Sequence, residues 1–449
     1  MHWLTQHGLI VVGVLVVAVA IVFVLQQRRT PQSAAAWILF MLILPYVAIP
    51  LFLMLGFRKQ GSRFPAIQFT NFDAGTVDAP AADLLRQMGA PQPTGGNTLT
   101  LLDTADTARA ALDELINGAQ ETLDILFYIV APDPVGERFV EKLTTKAKAG
   151  VKVRLNIDRL GTLRRPHRAL DALRAAGGEV RYFSPFLHPP DNGHLNLRNH
   201  RKLVIADRAR VWTGGRNVGA EYLGTGPDVW TDLSFTVTGP AVQPFIDVFA
   251  SDWDVTGRAV SGDLHRAETT GGTAVLQVVP SGPDEPEDVL HDGLVTLIHR
   301  SRARVWVATP YFVPTEELQA ALASAARRGV DVRLLLPDIS NQRTADFARG
   351  PYLRELQAIG VKINRFTAGM LHAKAGLIDD VAWAGSANFD VRSLLLNFEL
   401  ALFCHDAPTV RQIEDWYLAK SKNCELGVSE ASLPMRIVEG VFRLGAPVL

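Results

Sequence analysis

Two kinds of apolar pattern divide the chain. The first is unbroken: from Gly8 to Leu25 nearly every residue is Val, Ile, Leu, Ala or Gly, with no charge. That is about the length a helix needs to cross ~30 Å of hydrocarbon. A second such stretch, Ala34 to Phe57, contains Pro45 and Pro50, so a kinked span and a shallow hairpin are both open. A cleaved signal peptide fits less well, because no basic region precedes the first stretch and no small-residue cleavage site follows it. The pattern predicts two transmembrane helices over residues 1–60, followed by a linker or lid over 61–97 that is rich in Ala, Pro, Gly and Asp and carries one short helical piece, Ala81 to Met88.

From Thr98 the pattern changes to short apolar runs alternating with amphipathic stretches. Strands are predicted at Thr98–Leu102, Leu123–Val130 and Val151–Ile157, with helices over Ala105–Gly118 and Pro134–Ala149 between them. The order then repeats. AVLQVV from Ala274, a helix over Glu287–Ser301, Val305–Ala308, a helix over Glu316–Arg328 and Val330–Leu336 follow in the same sequence. Strand and helix in alternation indicate an α/β layer structure, and the repetition indicates two αβα lobes, 98–262 and 263–449, joined through the Ser, Gly and Thr cluster near Arg258 to Gly272. Trp253 and Trp416, each preceded by Asp at the end of a helix, stand in equivalent places.

The most informative repeat is polar. RNHRKLVIADRARVWTGGRN at Arg198–Asn217 is echoed by LHAKAGLIDDVAWAGSAN at Leu371–Asn388. In each, a His and a Lys two residues apart point the same way from an extended segment: His200 and Lys202, His372 and Lys374. An apolar run follows, then Asp207 or Asp379, a second apolar run, and a Gly-containing turn ending in Asn217 or Asn388. From Asp to Gly the second copy is one residue shorter, which a hairpin tip can absorb. The register of Ser386 and Asn388 is left for the structure to fix.

Charge narrows the chemistry. Lys plus Arg number 45 against 46 for Asp plus Glu among 449 residues, so the chain lacks the overall basic character of a sequence-independent nucleic-acid binder, and no nucleic-acid partner is expected. Cys404 and Cys424 suit neither a disulfide framework nor a zinc site.

The paired HxKxxxxD motif resembles the phospholipase D superfamily, whose two half-sites form one active centre. Over nearly the whole chain the resemblance narrows to the bacterial cardiolipin synthase family. FYIVAPD at Phe127, QVVPSGPD at Gln277, TPYFVPTEEL at Thr309 and RSLLLNFELALF at Arg392 carry it, together with the two apolar stretches. It implies two phospholipase D-like lobes forming an internal pseudo-dimer, and reversible phosphatidyl transfer between two phosphatidylglycerol molecules that gives cardiolipin and glycerol through a covalent phosphatidyl-histidine. It also implies His200 as nucleophile and His372 as acid and base, by analogy only, since the two motifs are alike. Lys202 and Lys374 would neutralise phosphate oxygens, and Asn217, Ser386 and Asn388 would donate to charge in the transition state.

Asp207 and Asp379 complete the motif and more naturally fix the hairpins than touch substrate. Glu399 and Asp232 stand where the fold can bring a carboxylate to a His ring, although plain surface charge is an equal reading. No metal or other cofactor is implied, because a histidine route with cationic side chains needs none. Expected partners are phosphatidylglycerol and cardiolipin in a bacterial inner membrane, with the catalytic part cytoplasmic on the thin margin of Arg58, Lys59 and Arg63 over Arg28 and Arg29. Self-association into a homo-oligomer stays open.

Competing readings are a hydrolase releasing phosphatidic acid, a transferase using another acceptor alcohol, a nuclease and an inactive scaffold. Tyr128, Tyr311 and Phe312 either line a lipid channel or pack the core. His167, His188 and His194 have no partner motif. The C-terminal stripe of Ile437, Val441 and Leu444 fits either a lipid surface or the cover of the second lobe.

Overall fold

The computed structural model describes residues 2–27, 31–56, 64–70, 77, 79–183, 197–256 and 271–444. Arg28, Arg29, Arg58, Lys59, Arg63, His188, His194 and the junction from 258 to 270 lie outside the described residues.

The first half contributes β1 (Thr94–Leu102), β2 (Thr122–Phe127), β3 (Lys152–Asp158), β4 (Glu179–Phe183), β5 (Leu203–Ala206), β6 (Arg210–Gly214) and β7 (Ser234–Thr238). The second contributes β8 (Ala274–Ser281), β9 (Arg304–Ala308), β10 (Phe312–Val313), β11 (Asp331–Pro337), β12 (Lys362–Phe366), β13 (Ala375–Ile378), β14 (Val381–Gly385), β15 (Phe389–Asp390), β16 (Glu399–Cys404) and β17 (Cys424–Leu426). Fifteen of these form one sheet in the order β17-β12-β11-β9-β13-β14-β16-β8-β1-β7-β6-β5-β2-β3-β4. Reading outward from the β8·β1 pair, each strand of one half meets its counterpart in the other, with β17 added at one edge. The duplication in sequence is therefore a dyad in space. The pairing that creates it, β1 with β8 antiparallel, uses Thr94 to Asn97 and carries an irregularity there. These residues lie just ahead of the predicted first strand.

The strands β2, β3, β9 and β11 are largely buried on both faces because helices cover both faces, and where β2 and β3 bury charge on one face Arg154 pairs with Asp124 at 2.6 Å. On one face the helices Val242–Val255 and Ala407–Ser421 lie over a core that crosses the dyad, joining Phe235, Phe249 and Trp253 to Trp306, Trp416 and Tyr417. The opposite face carries two separate cores, one per half. Asp133, Thr104, Thr315 and Asp406 cap helix starts by accepting backbone N–H bonds.

The segment read as a linker or lid is docked where it is described. Ile67 and Phe69 enter the shared core, Thr70 N donates to Asp247 Oδ2 at 2.8 Å, and the helix Pro80–Gln87 buries Leu84 and Leu85 on the second half.

The N-terminal helices are His2–Gln26, Pro31–Ile43 and Pro45–Leu55, and the break before Pro45 leaves two short helices in place of one second span. Among the described residues no helix is long and apolar enough to cross a membrane.

At the other end the helix Leu433–Leu444 is held to the helix Arg343–Ala358 by Glu439 with Arg354 and by Phe442 stacked on Phe347 at 5.3 Å. Ile437 and Val441 face outward, each 62% exposed, while Phe442 packs against the core of the second half, so the helix covers that half with its other face; the side chain of Leu444 lies outside the described residues.

Candidate active site

The two motif histidines meet at the dyad because each half lends the other a backbone partner. Asn199 bridges Phe398, and Leu371 bridges Thr231. His200 N donates to Phe398 O at 2.8 Å, and His372 N donates to Thr231 O at 2.7 Å. One residue beyond each bridge stands a carboxylate. Glu399 thus comes from the second half to His200 of the first, with Oε1 3.3 Å from Nδ1. Asp232 comes from the first half to His372 of the second, with Oδ2 2.6 Å from Nδ1. Both carboxylates are fully buried, so the surface-charge reading of these two residues does not hold. An ionised carboxylate only accepts, so the hydrogen bond at His372 puts the proton on Nδ1 and leaves Nε2 for chemistry, and Glu399 beside Nδ1 favours the same arrangement at His200.

The two half-sites differ. Asp232 sits tight on His372, and Lys374 Nζ lies 3.1 Å from His372 Nε2. On the other side Ser386 Oγ donates to Glu399 Oε2 at 2.5 Å, and His200 keeps 21% of its side chain exposed. The position equivalent to Ser386 is Gly215, where an added Cβ would stand 2.2 Å from Asp232 Oδ1. Glycine is required there by the carboxylate.

Burial dominates the electrostatics. It pushes His200 and His372 down to about 4, although Glu399 and Asp232 respectively work against it. It also lowers Lys202, and it takes Lys374 down to about 7 with Asp232 opposing. For Asp232 burial acts upward, but Lys374 and His372 beside it hold its carboxyl well below the ordinary carboxylate range. The lysine of each half feels the carboxylate of both halves, as expected of two half-sites sharing one cleft.

The remaining motif residues fall in three places. Asp207 and Asp379 lie at the hairpin tips, away from the histidines. Asp207 accepts from Gln120 N, Glu121 N and Thr122 N, and Asp379 from Arg302 N, Ala303 N and Arg304 N. They tie each hairpin to the strand beside it. Asn217 Oδ1 accepts from Ile129 N at 3.2 Å, and Asn388 Nδ2 donates to Ser393 Oγ at 3.0 Å. Ser386 faces the carboxylate behind the ring, whereas the resemblance implied a contact with substrate. The missing residue in the second hairpin is absorbed at the tip: Leu203 pairs with Thr213 and Ala375 with Ala384, the same register relative to Lys202 and Lys374.

Of the aromatic candidates, Tyr128 lies against His200, ring centroids 4.0 Å apart. Tyr311 donates its hydroxyl to Asn341 Oδ1 at 2.6 Å. Phe312 is wholly buried in the second core, so it packs and lines nothing. Two residues that sequence reasoning missed, Tyr222 and Trp230, flank His372 at 5.3 and 5.2 Å. The signal was thin: aromatics between the motif and Asp232.

A third missed feature is the buried Arg201, which donates to Asp252 at 2.9 Å and with both Nη atoms to Asp284 at 2.8 and 3.0 Å. Asp284 closes QVVPSGPD, which gives that motif its physical role: it holds the first half's histidine strand to the second half.

Comparison with known proteins agrees with this geometry. A family model described as "Cardiolipin synthase, PLD-like domain" matches residues 112–253 and 294–420. Cardiolipin synthase A of Pseudomonas aeruginosa is 33% identical over 434 residues, covering 91% of this chain and 89% of that protein. Cardiolipin synthase 2 of Bacillus anthracis is 36% identical over 366 residues, covering 78% and 70%. Among solved structures, phosphatidylserine synthase of Haemophilus influenzae superposes with a TM-score of 0.64 at 15% identity, over 82% of this chain and all of that one. At that identity the likeness is one of fold.

Proposed function

The chain belongs to the cardiolipin synthase family of phospholipase D-like proteins, and on that premise we propose a two-step exchange at the paired histidines. The protein is a phosphatidyltransferase that makes cardiolipin. His200 Nε2 attacks the phosphorus of one phosphatidylglycerol while His372 protonates the departing glycerol oxygen. A phosphatidyl-His200 forms and glycerol leaves. His372, now neutral, takes the proton from the terminal hydroxyl of a second phosphatidylglycerol, whose oxygen attacks phosphorus and releases His200.

The assignment of roles is supported by the asymmetry of the pairs. A nucleophile needs an accessible ring, and His200 is partly exposed where His372 is nearly enclosed, while burial holds both rings down to about 4. An acid needs its charged form stabilised, and Asp232 at 2.6 Å does that for His372. The arriving phosphodiester, itself an anion, favours the imidazolium further. Lys202 and Lys374 neutralise phosphate oxygens, and Asn217 and Asn388 fix the turns that frame the phosphate. Exclusion of water favours an alcohol acceptor over hydrolysis.

The apolar helices His2–Gln26, Pro31–Ile43 and Pro45–Leu55 anchor the protein in a bacterial inner membrane as a hairpin, next to its substrates. The observation that carries the reading is the crossed pairing of each histidine with the other half's carboxylate. Purified protein in detergent with phosphatidylglycerol is expected to release glycerol and cardiolipin in equal amounts. Phosphatidic acid as the sole lipid product would replace transfer by hydrolysis, and no product from folded protein would overturn the reading.

A further inference from the structure

The loop after β3 reads RLGTLRRPHR from Arg159 to Arg168. It contains four arginines and no acidic residue in a chain whose net charge is -1. Within it Leu160 and Leu163 are 40% and 57% exposed. Exposed apolar side chains grouped and rimmed by polar residues are the mark of a surface that meets protein or membrane.

This loop is tightly built. Asp158 Oδ1 accepts from Leu160 N and Gly161 N at 2.9 and 3.0 Å, and Thr162 Oγ1 donates to Tyr128 O at 2.9 Å. An added Cβ at Gly161 would stand 2.4 Å from that same carbonyl. Tyr128 in turn lies against His200, so the two leucines sit one residue layer from the reacting histidine. Arg165 leans on Tyr182 at 4.8 Å, while Arg164 and Arg168 are exposed. In the other half the equivalent loop after β11 lacks the arginines but leaves Ile339 57% exposed, two residues before the Asn341 that holds Tyr311.

We propose that this rim, Leu160 and Leu163 ringed by arginine with Ile339 opposite, docks the mouth of the site onto the surface of an anionic bilayer. The inference rests on the lipid-transfer reading above. Apolar side chains enter the acyl boundary and arginines meet phosphate, the combination that gives interfacial segments both affinity and preference for negative lipid. A phosphodiester at the headgroup level then reaches His200 without leaving its leaflet.

The test uses the full chain reconstituted in nanodiscs. A fluorophore on Leu163→Cys, in a Cys424→Ser background, is expected to be quenched by spin-labelled lipid in discs of phosphatidylglycerol and phosphatidylcholine, and less in discs of phosphatidylcholine alone. No quenching in either disc overturns the proposal whatever the activity, because this readout needs no turnover.

The Leu160→Asp/Leu163→Asp variant is expected to lose tenfold or more of the rate on phosphatidylglycerol in discs. It should stay within twofold of wild type on a short-chain, monomeric phosphatidylglycerol. Equal rates on both substrates, or equal losses on both, overturn the proposal. Wild type that makes cardiolipin from neither substrate counts against the transfer reading and leaves the quenching result to judge the rim.

Discussion

Replacing Asp232 by Asn keeps the size of the side chain and removes the charge on which His372 depends. The bond lost is the 2.6 Å contact from Asp232 Oδ2 to His372 Nδ1, with both groups nearly out of solvent. A hydrogen bond to a charged group contributes about 1.5–3 kcal/mol, and at about 1.36 kcal/mol per decade its loss lowers kcat about 10- to 150-fold. KM changes little, because Asp232 touches the ring and not the lipid. Since Asp232 works to raise His372, the limb of kcat that reports protonation of His372 moves to lower pH. The substitution also leaves Lys374 without its nearest counter-charge. Uncompensated buried charge costs roughly 3–5 kcal/mol, so rates are read well below the variant's own melting temperature. Initial rates of cardiolipin formation in mixed micelles, across pH, decide the matter. A kcat within threefold of wild type with an unmoved pH profile would refute the reasoning.

Three further outcomes follow from the same geometry. Ser386→Ala frees one oxygen of Glu399 without removing the carboxylate or touching the ring, so kcat in the same assay should fall about 2- to 10-fold, the roughly 0.5–1.5 kcal/mol of an ordinary hydrogen bond felt at one remove, less than for Asp232→Asn. Asp284→Asn strips Arg201 of its charged bidentate partner and is expected to lower the melting temperature by several degrees, a loss of about 3 kcal/mol or more in a calorimetric scan. Both motif histidines titrate lower in the folded protein, about 4 against an ordinary 6.5. The unfolded chain therefore binds more protons between those values, and stability falls as pH drops from about 6.5 toward 4. Melting curves at pH 7.5 and 4.5 should show that loss reduced in the His200→Gln/His372→Gln variant.

Local pattern made much of this molecule legible before its structure. Strand and helix alternation placed β2, β3, β9 and β11 within a residue or two at most ends, because period and apolar runs are local properties. The repeated His and Lys spacing located both half-sites for the same reason. What stayed hidden depends on the dyad. The β1·β8 pairing and the Arg201–Asp284 contact join residues more than eighty positions apart, and no periodicity within either half encodes them; Asp232 and Glu399 are legible as histidine-orienting carboxylates, but not the crossing that takes each to the ring of the other half. Ser386 was misjudged on similar grounds, since its partner is a carboxylate thirteen residues away that a hairpin folds back. Phe312 reads like a cleft residue from its place after a strand, yet the small parallel pair of β10 and β15 turns it inward.

In the proposed exchange the imidazole of one half bonds to phosphorus while that of the other moves the proton. Enzyme mixed with phosphatidylglycerol, quenched in alkali within one turnover and digested, should yield a phosphatidyl mass on the peptide containing His200. The adduct should be absent from His200→Ala and should accumulate in His372→Ala when a ready leaving group replaces glycerol. Turnover by His200→Ala, or an adduct mapped to any other residue, would contradict the account.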